Sequence, residues 1–133
     1  LYIRAADELG IQWIALCDND VAGTEYQDVV RKHLNGREAD QVLYGTVAPD
    51  IEQYLCRNGL GLVYESLQSN EKKANIDESP NIDDYWRKVC VNTGKKKIAA
   101  VPEVLKLIDE GKAPVPDLLA RVIKASLALA EGE

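Results

Sequence analysis

A short apolar run that stops abruptly at acidic residues limits how this chain can fold. Residues 11–17 read IQWIALC, a short segment with β-branched and aromatic residues, as is typical of a strand buried on both faces. The sequence continues with DNDVAG, and a helical pattern begins near Gly23. Because ligands bind at the carboxyl ends of the strands in open α/β sheets, the sequence predicts an α/β fold with a candidate site at Asp18 and Asp20.

Apolar periodicity predicts the order α, β, α, β, followed only by helices. The expected helices cover residues 1–9, 23–34, 48–57, 62–67, 83–91, 98–110 and 117–130, and the expected strands cover 11–17 and 41–44. Residues 69–81 are polar and are predicted to form a loop, and Pro102 is predicted to kink or interrupt its helix. This pattern divides the chain into an α/β part, residues 1–68, and a helical part, residues 69–133.

Composition narrows the class of protein. The chain has 133 residues, 46% of them hydrophobic, which suits one globular domain. Its net charge of 16 − 22 = −6 excludes a surface that is basic throughout, but it allows a local patch that binds nucleic acid. The sequence shows neither an apolar membrane span nor a signal peptide, so we expect a cytoplasmic protein without a membrane partner. Because Met is absent and the chain opens within a helical pattern, we also expect a fragment of a longer protein.

The three cysteines favour reduced thiols. Cys17, Cys56 and Cys90 are separated by 39 and 34 residues, and no CxxC motif is present. This spacing argues against a structural zinc site and against a framework of disulfides.

Asp18 and Asp20 can be interpreted in two ways. Carboxylates two residues apart on extended backbone point to the same side and could bind Mg²⁺ or Mn²⁺, with Gly23 allowing a tight turn into the next helix. Alternatively, they are turn and N-cap residues. A calcium-binding EF-hand loop is excluded because Ala22 and Val29 occupy positions that need oxygen ligands.

Two further charged segments carry the same ambiguity. Asp50 and Glu52 lie at a predicted helix start, where acids often cap the helix or complement its dipole. The run from Lys95 to Lys97 also precedes a helix, and cations are unfavourable at that end. This placement favours a functional reason for the lysines.

Taken in order, these segments resemble the Toprim domain of the OLD (overcoming lysogenization defect) family of nucleases. The similar stretches are IQWIALCDNDVAGTEY, PDIEQYLCRNG, TGKKKIAAVPEVL and PVPDLLARVIKASLALA. The resemblance implies a partial Toprim fold, Rossmann-like with a mostly parallel sheet, followed by helices. It implies that Asp18 and Asp20 are metal ligands, that Glu52 is the downstream acid with Asp50 as a helper, and that Lys97 is the functional lysine.

The resemblance also implies a metal-dependent DNA endonuclease that uses two Mg²⁺ or Mn²⁺ ions. ATP would bind only at an ABC-type ATPase domain that precedes the Toprim domain in the family and through which the protein would dimerise. Lys72, Lys73, Lys95, Lys96 and Lys97 are candidates for contacts with the DNA backbone, and Lys95 and Lys96 are alternatives to Lys97 in catalysis.

One part of the family's pattern is missing, because the first strand and its glutamate would lie before Leu1. We therefore expect residues 1–133 alone to be inactive as a nuclease. Two other functions remain open: another Toprim chemistry, of the primase or topoisomerase kind, and a receiver-like α/β module that binds a partner without catalysis.

Overall fold

A computed structural model describes residues 2–132. Leu1, assigned from sequence to the first helix, and Glu133, the end of the predicted helical part, lie outside the described residues. Residues 2–50 contain three helices and two strands: α1 (Tyr2–Glu8), β1 (Ala15–Cys17), α2 (Val21–Lys32), α3 (Ala39–Val42) and β2 (Leu43–Gly45).

The rest of the described chain is helical. Its elements are α4 (Ile51–Leu55), a kinked turn (Cys56–Leu60) in which Asn58 and Gly59 leave helical geometry, α5 (Gly61–Ser66), α6 (Asn70–Ala74), α7 (Asp83–Thr93), a 3₁₀ turn (Gly94–Lys96), α8 (Lys97–Asp109) and α9 (Asp117–Glu131). The protein is thus mostly helical with a small parallel sheet. The predicted order of helices and strands is present except that a short helix, α3, precedes β2 and includes residues 41 and 42 of the predicted second strand. None of the described helices is long and apolar enough to cross a membrane.

These elements form two compact units. The sheet unit comprises residues 2–50 and 117–132, and the helical unit comprises residues 51–116. The last helix, α9, therefore belongs to the same unit as the strands. The sequence placed a single boundary between residues 68 and 69, and that division into a Toprim core and a helical region stays a prediction.

The sheet consists of β1 and β2, which pair in parallel. Ala15 lies opposite Leu43, and Cys17 lies opposite Gly45. The predicted strand over 11–17 is shorter in the structure, and the prediction that it is buried on both faces is wrong: Leu16 is 39% exposed. Within residues 2–132 this strand has a partner on one side only, so its apolar residues lack the neighbours that a central strand would give them.

A polar cluster ties α1 to the segments around it in the sheet unit. The indole Nε1 of Trp13 donates to Asp7 Oδ1 at 2.8 Å, and the Arg37 guanidinium lies 4.1 Å from the centre of the Trp13 ring. The Asn35 amide donates to Asp7 Oδ2 at 3.2 Å. One half-buried carboxylate therefore anchors the residues on either side of α2.

The helical unit has its own hydrophobic core. Its buried residues come from the kinked turn, α5, α7, α8 and the segment after α8: Cys56, Leu60, Val63, Tyr64, Tyr85, Val89, Ala100, Val104 and Ala113. The Thr93 hydroxyl, buried at the end of α7, donates within this core and lies 2.9 Å from the Val89 carbonyl oxygen and 3.3 Å from that of Tyr64. A side chain at Gly61 would place its Cβ 2.2 Å from the Trp86 ring, so glycine lets α7 approach α5 closely.

One local prediction in the helical unit is wrong, and another is wrong in part. The predicted loop over 69–81 contains α6, which begins after Ser69 because the Ser69 hydroxyl accepts a hydrogen bond from Lys72 N at 3.3 Å. Pro102 does not interrupt its helix, since α8 runs from Lys97 through Asp109. A proline removes one backbone donor, and near the start of a helix that loss costs one hydrogen bond.

Candidate functional site

The loop that follows β1 meets the loop that follows β2 at one edge of the parallel pair. Thr46 N donates to the Cys17 carbonyl at 3.0 Å, and Asn19 N donates to the Pro49 carbonyl at 3.0 Å. The Asn19 side chain adds a bond to the Val47 carbonyl at 3.4 Å. Asn19, which lies between the two acids in sequence, therefore joins the two loops.

This contact places three predicted site residues in loops that are joined by hydrogen bonds. Asp18 and Asp20 flank Asn19, and Asp50 directly follows Pro49. Asp18 and Asp50 are half-buried, and Asp20 is exposed. The parallel register thus brings the DxD segment beside the segment that leads to α4.

Asp20 also has a structural role. Its Oδ1 accepts a hydrogen bond from Gly23 N at 2.6 Å, and its backbone is extended, so Asp20 is the N-cap of α2. Thr24 N and the Thr24 hydroxyl both lie 2.9 Å from the Asp20 carbonyl oxygen as donors. The cap interpretation from sequence is therefore confirmed for Asp20, and it leaves the other carboxylate oxygen, Oδ2, outside the cap.

Gly23 is essential to the shape of this turn. A Cβ at position 23 would lie 2.0 Å from the Asp18 carbonyl oxygen and 3.1 Å from Asp20 Oδ1. The first turn of α2 therefore packs directly on the backbone of the acidic loop. The sequence predicted a tight turn here, and the structure shows that close backbone approach is the reason for glycine.

The chemistry of this edge suits a hard divalent cation, since carboxylate oxygens are the ligands that Mg²⁺ and Mn²⁺ prefer. Within residues 2–132, however, no three His, Cys, Asp or Glu side chains are grouped so that they could hold a metal ion. A divalent ion bound at Asp18 and Asp20 would need further oxygen ligands, from water, from phosphate or from protein outside these residues. The carboxylates are the right kind of ligand for Mg²⁺ or Mn²⁺. The described residues alone, however, do not supply all the ligands that such an ion would need.

Glu52 and Lys97 lie together in the helical unit. Lys97 Nζ is 2.9 Å from Glu52 Oε1, although the two residues are 45 positions apart (97 − 52). Glu52 is on α4 with a side chain 20% exposed, and Lys97 is the first residue of α8 with a side chain 55% exposed. An ion pair with this exposure contributes only up to about 1 kcal/mol to stability. Stability alone therefore gives little explanation for the presence of this ion pair.

The other predicted lysines are exposed on the surface of the helical unit. Lys95 and Lys96 form the 3₁₀ turn before α8, and Lys72 and Lys73 lie on α6. Lys72 Nζ donates to the Asn92 carbonyl at 3.4 Å.

Lys72 also lines a cavity of about 180 Å³ that sequence reasoning did not find. Arg87 and Lys88 line the same cavity, and the sequence gave no signal for them because they lie within a helical pattern. Both are partly neutralised, because Arg87 pairs with Asp84 at 2.6 Å and Lys88 pairs with Glu78 and Asp84. Hydrogen bonds from these cations lower the pKa of the Glu78 and Asp84 carboxyl groups.

The pKa of one group beside the acidic loop, the Cys17 thiol, is shifted. Burial raises the pKa of the Cys17 thiol, the adjacent Asp18 charge raises it further, and Arg31 opposes the shift. Cys17 therefore stays protonated at neutral pH and is a poor nucleophile.

Comparison with known proteins finds one curated protein whose sequence is significantly similar to this chain. The protein is 30% identical over 135 residues to "Uncharacterized protein YbjD" of Escherichia coli (strain K12), an alignment that covers 98% of this chain and 23% of that protein. No protein-family model matches the chain, and no solved structure matches it. The chain thus spans about a quarter of the length of the curated relative that it matches.

Proposed function

We propose that this chain is the Toprim nuclease part of an OLD-type endonuclease, which hydrolyses DNA phosphodiester bonds with Mg²⁺ or Mn²⁺. The proposal is based on the resemblance of the sequence motifs of this chain to those of the OLD family. It includes an ATP-binding ABC-type domain elsewhere in a longer protein, dimerisation through that domain and a cytoplasmic location.

The observation that carries the proposal is the junction between the two loops at the sheet edge. Asn19 N bonds to the Pro49 carbonyl at 3.0 Å, so that Asp18 and Asp20 follow one strand and Asp50 follows its parallel neighbour. An edge of this kind, with carboxylates from successive strand ends, is suited to bind a divalent cation together with a phosphate. Asp18 and Asp20 would be ligands at this edge, with Asp50 as a helper.

The Glu52–Lys97 pair supports a role for Lys97 in charge stabilisation. The resemblance assigns metal binding to Glu52 and catalysis to Lys97, and the two side chains form an ion pair at 2.9 Å. An ammonium group fixed by a carboxylate can donate to a phosphate oxygen and stabilise the negative charge that grows there in the transition state. Divalent ions, when bound, would supply the activation of water and the stabilisation of the leaving oxygen.

The exposed lysines of the helical unit provide contacts for the DNA backbone. Lys72 and Lys73 on α6, and Lys95 and Lys96 before α8, would bind phosphate groups regardless of sequence. Because the net charge of the chain is −6, these contacts would be local, and their affinity should fall as salt concentration rises.

A second candidate is a binding module without catalysis, and the N-cap role of Asp20 favours it. In that case Asp20 serves only as the N-cap of α2, and Glu52 and Lys97 form a surface ion pair. The protein then requires no divalent cation. Mn²⁺ binding separates the two proposals.

The decisive experiment is an electron paramagnetic resonance titration of Mn²⁺ with the 133-residue chain. The test variant combines Asp18→Asn with Asp20→Asn, because asparagine also caps helices and should keep α2 intact. The control combines Glu25→Gln with Asp28→Asn, which removes two charges from exposed positions of α2. The nuclease proposal expects Mn²⁺ binding by the wild type and the control, weakened at least about tenfold in the test variant. Equal affinity in both double variants would favour the binding module.

A further inference from the structure

Two cysteine sulfur atoms are in contact inside the helical unit. Cys56 Sγ lies 3.7 Å from Cys90 Sγ, and the residues are 34 positions apart. Cys56 begins the kinked turn after α4 and is 3% exposed, whereas Cys90 is half-buried in the last turn of α7. The third cysteine, Cys17, belongs to the sheet unit.

The surroundings of Cys56 leave room for its sulfur to move. Cys56 lines a cavity of about 340 Å³ together with Gly59, Pro80 and Trp86. A disulfide requires the sulfurs to approach from 3.7 Å to about 2.05 Å, a movement of about 3.7 − 2.05 = 1.65 Å. The cavity borders Cys56, so the core is not closely packed on every side of this residue.

We propose that Cys56 and Cys90 form a reversible disulfide when the protein meets a hydroperoxide such as H₂O₂. The Cys90 thiolate, the more exposed of the pair, attacks one peroxide oxygen, the O–O bond breaks, and hydroxide leaves. The Cys56 thiolate then attacks the sulfur of the Cys90 sulfenic acid, and hydroxide leaves again. Both thiol protons end in the two water molecules formed, so two thiols lose two electrons and one peroxide gains them.

The bond would link the end of α4 to α7. Glu52 lies four residues before Cys56, which is one helical turn, so the crosslink would fix the segment that carries the Glu52–Lys97 ion pair. This inference does not depend on nuclease activity, since it rests on the two sulfurs and the adjacent cavity alone.

Peptide mapping tests the proposal directly, because trypsin places the cysteines in three different peptides, 5–31, 38–57 and 89–95. The folded chain is treated with equimolar H₂O₂, its remaining thiols are blocked, and the digest is examined by mass spectrometry. The expected product joins peptides 38–57 and 89–95, disappears after reduction, and forms equally well in Cys17→Ser. Cys90→Ser should give no intramolecular link between these peptides.

The urea-unfolded chain is the matched control. There the 17–56 and 56–90 links should form at rates within about 1.3-fold of each other, because the separations of 39 and 34 residues give similar loop-closure entropies. The folded chain should form only the 56–90 link. The proposal is overturned if the folded chain keeps all its thiols, oxidises its cysteines separately, or links Cys17 as readily as the unfolded chain does.

Discussion

Replacing Gly23 with alanine tests the close packing beneath the acidic loop. In an ordinary helix, this change stabilises the fold by about 1 kcal/mol, because glycine has the lower helix propensity. Here the new Cβ would lie 2.0 Å from the Asp18 carbonyl oxygen, against an ordinary contact of 3.4 Å or more. The loop would have to retreat by about 3.4 − 2.0 = 1.4 Å.

The balance of these effects predicts destabilisation. Overpacking of a tight contact costs about 1–3 kcal/mol. Movement of the loop also strains the 2.6 Å bond from Gly23 N to Asp20 Oδ1, and a helix cap is worth about 1 kcal/mol. Set against the gain in propensity, the net loss for Gly23→Ala is about 1–3 kcal/mol in the free energy of unfolding.

The chain offers a specific probe for this measurement. Trp13 lies in the sheet unit and Trp86 in the helical unit, so 5-fluorotryptophan labelling gives one ¹⁹F resonance for each. A urea titration should show the Trp13 midpoint lowered in Gly23→Ala. The control Ala22→Gly, at an exposed position of α2, should cost only about 0.5–1 kcal/mol. An unchanged or raised midpoint in Gly23→Ala would refute the packing argument.

Three further predictions follow from named contacts. Asp20→Ala should destabilise the sheet unit by about 1 kcal/mol and Asp20→Asn much less, because only asparagine keeps the cap; urea denaturation checks this, and equal losses would contradict the cap. In a longer protein with its upstream residues, Lys97→Ala should lower the rate of cleavage at saturating DNA far more than Lys96→Ala does, and equal single-turnover rates would contradict a catalytic Lys97. Burial and the hydrogen bond to Glu65 raise the pKa of Tyr85 to about 12, so the free energy of unfolding should fall as pH rises from 10 to 12, where an unfolded tyrosine ionises and Tyr85 does not. Denaturation at each pH should show a smaller fall in Tyr85→Phe, and an identical fall would contradict the shift.

Sequence reasoning predicted the local elements of the fold well. The succession of a strand, an acidic turn and a helix is visible in the sequence. The apolar run stops at Asp18, and the start of the helix needs a capping residue and a small residue. The end of α2 was also close, predicted at residue 34 and observed at Lys32.

Burial was predicted less well, because it depends on neighbours that periodicity does not reveal. Tyr26 belongs to an apolar stripe in sequence but is 65% exposed in the structure. In the same helix Val30 is 2% exposed. The pattern identifies a candidate apolar face, whereas the partner that covers it is set by the tertiary fold.

The candidate site likewise has some features that the sequence predicts and others that depend on the tertiary fold. The sequence identified Asp18 and Asp50 as candidate site residues, but it took the structure to show that they lie in adjoining loops at one edge of the parallel pair. Nothing in the sequence indicates that Glu52 meets Lys97, because an ion pair across 45 residues depends on how helices pack. The N-cap bond of Asp20 was an open alternative, and only atomic positions could decide it.

Nicking of supercoiled plasmid tests the proposed function most directly. The proteins to compare are the 133-residue chain, a longer protein with about 40–80 upstream residues, as a further βαβ unit would require, and the Asp18→Asn variant of the longer protein. The account predicts Mn²⁺-dependent nicking by the longer protein, little by the 133 residues, and loss of activity in Asp18→Asn. It is contradicted if the longer protein nicks DNA equally well with Asn at position 18, or if it does not nick DNA when Mn²⁺ is present.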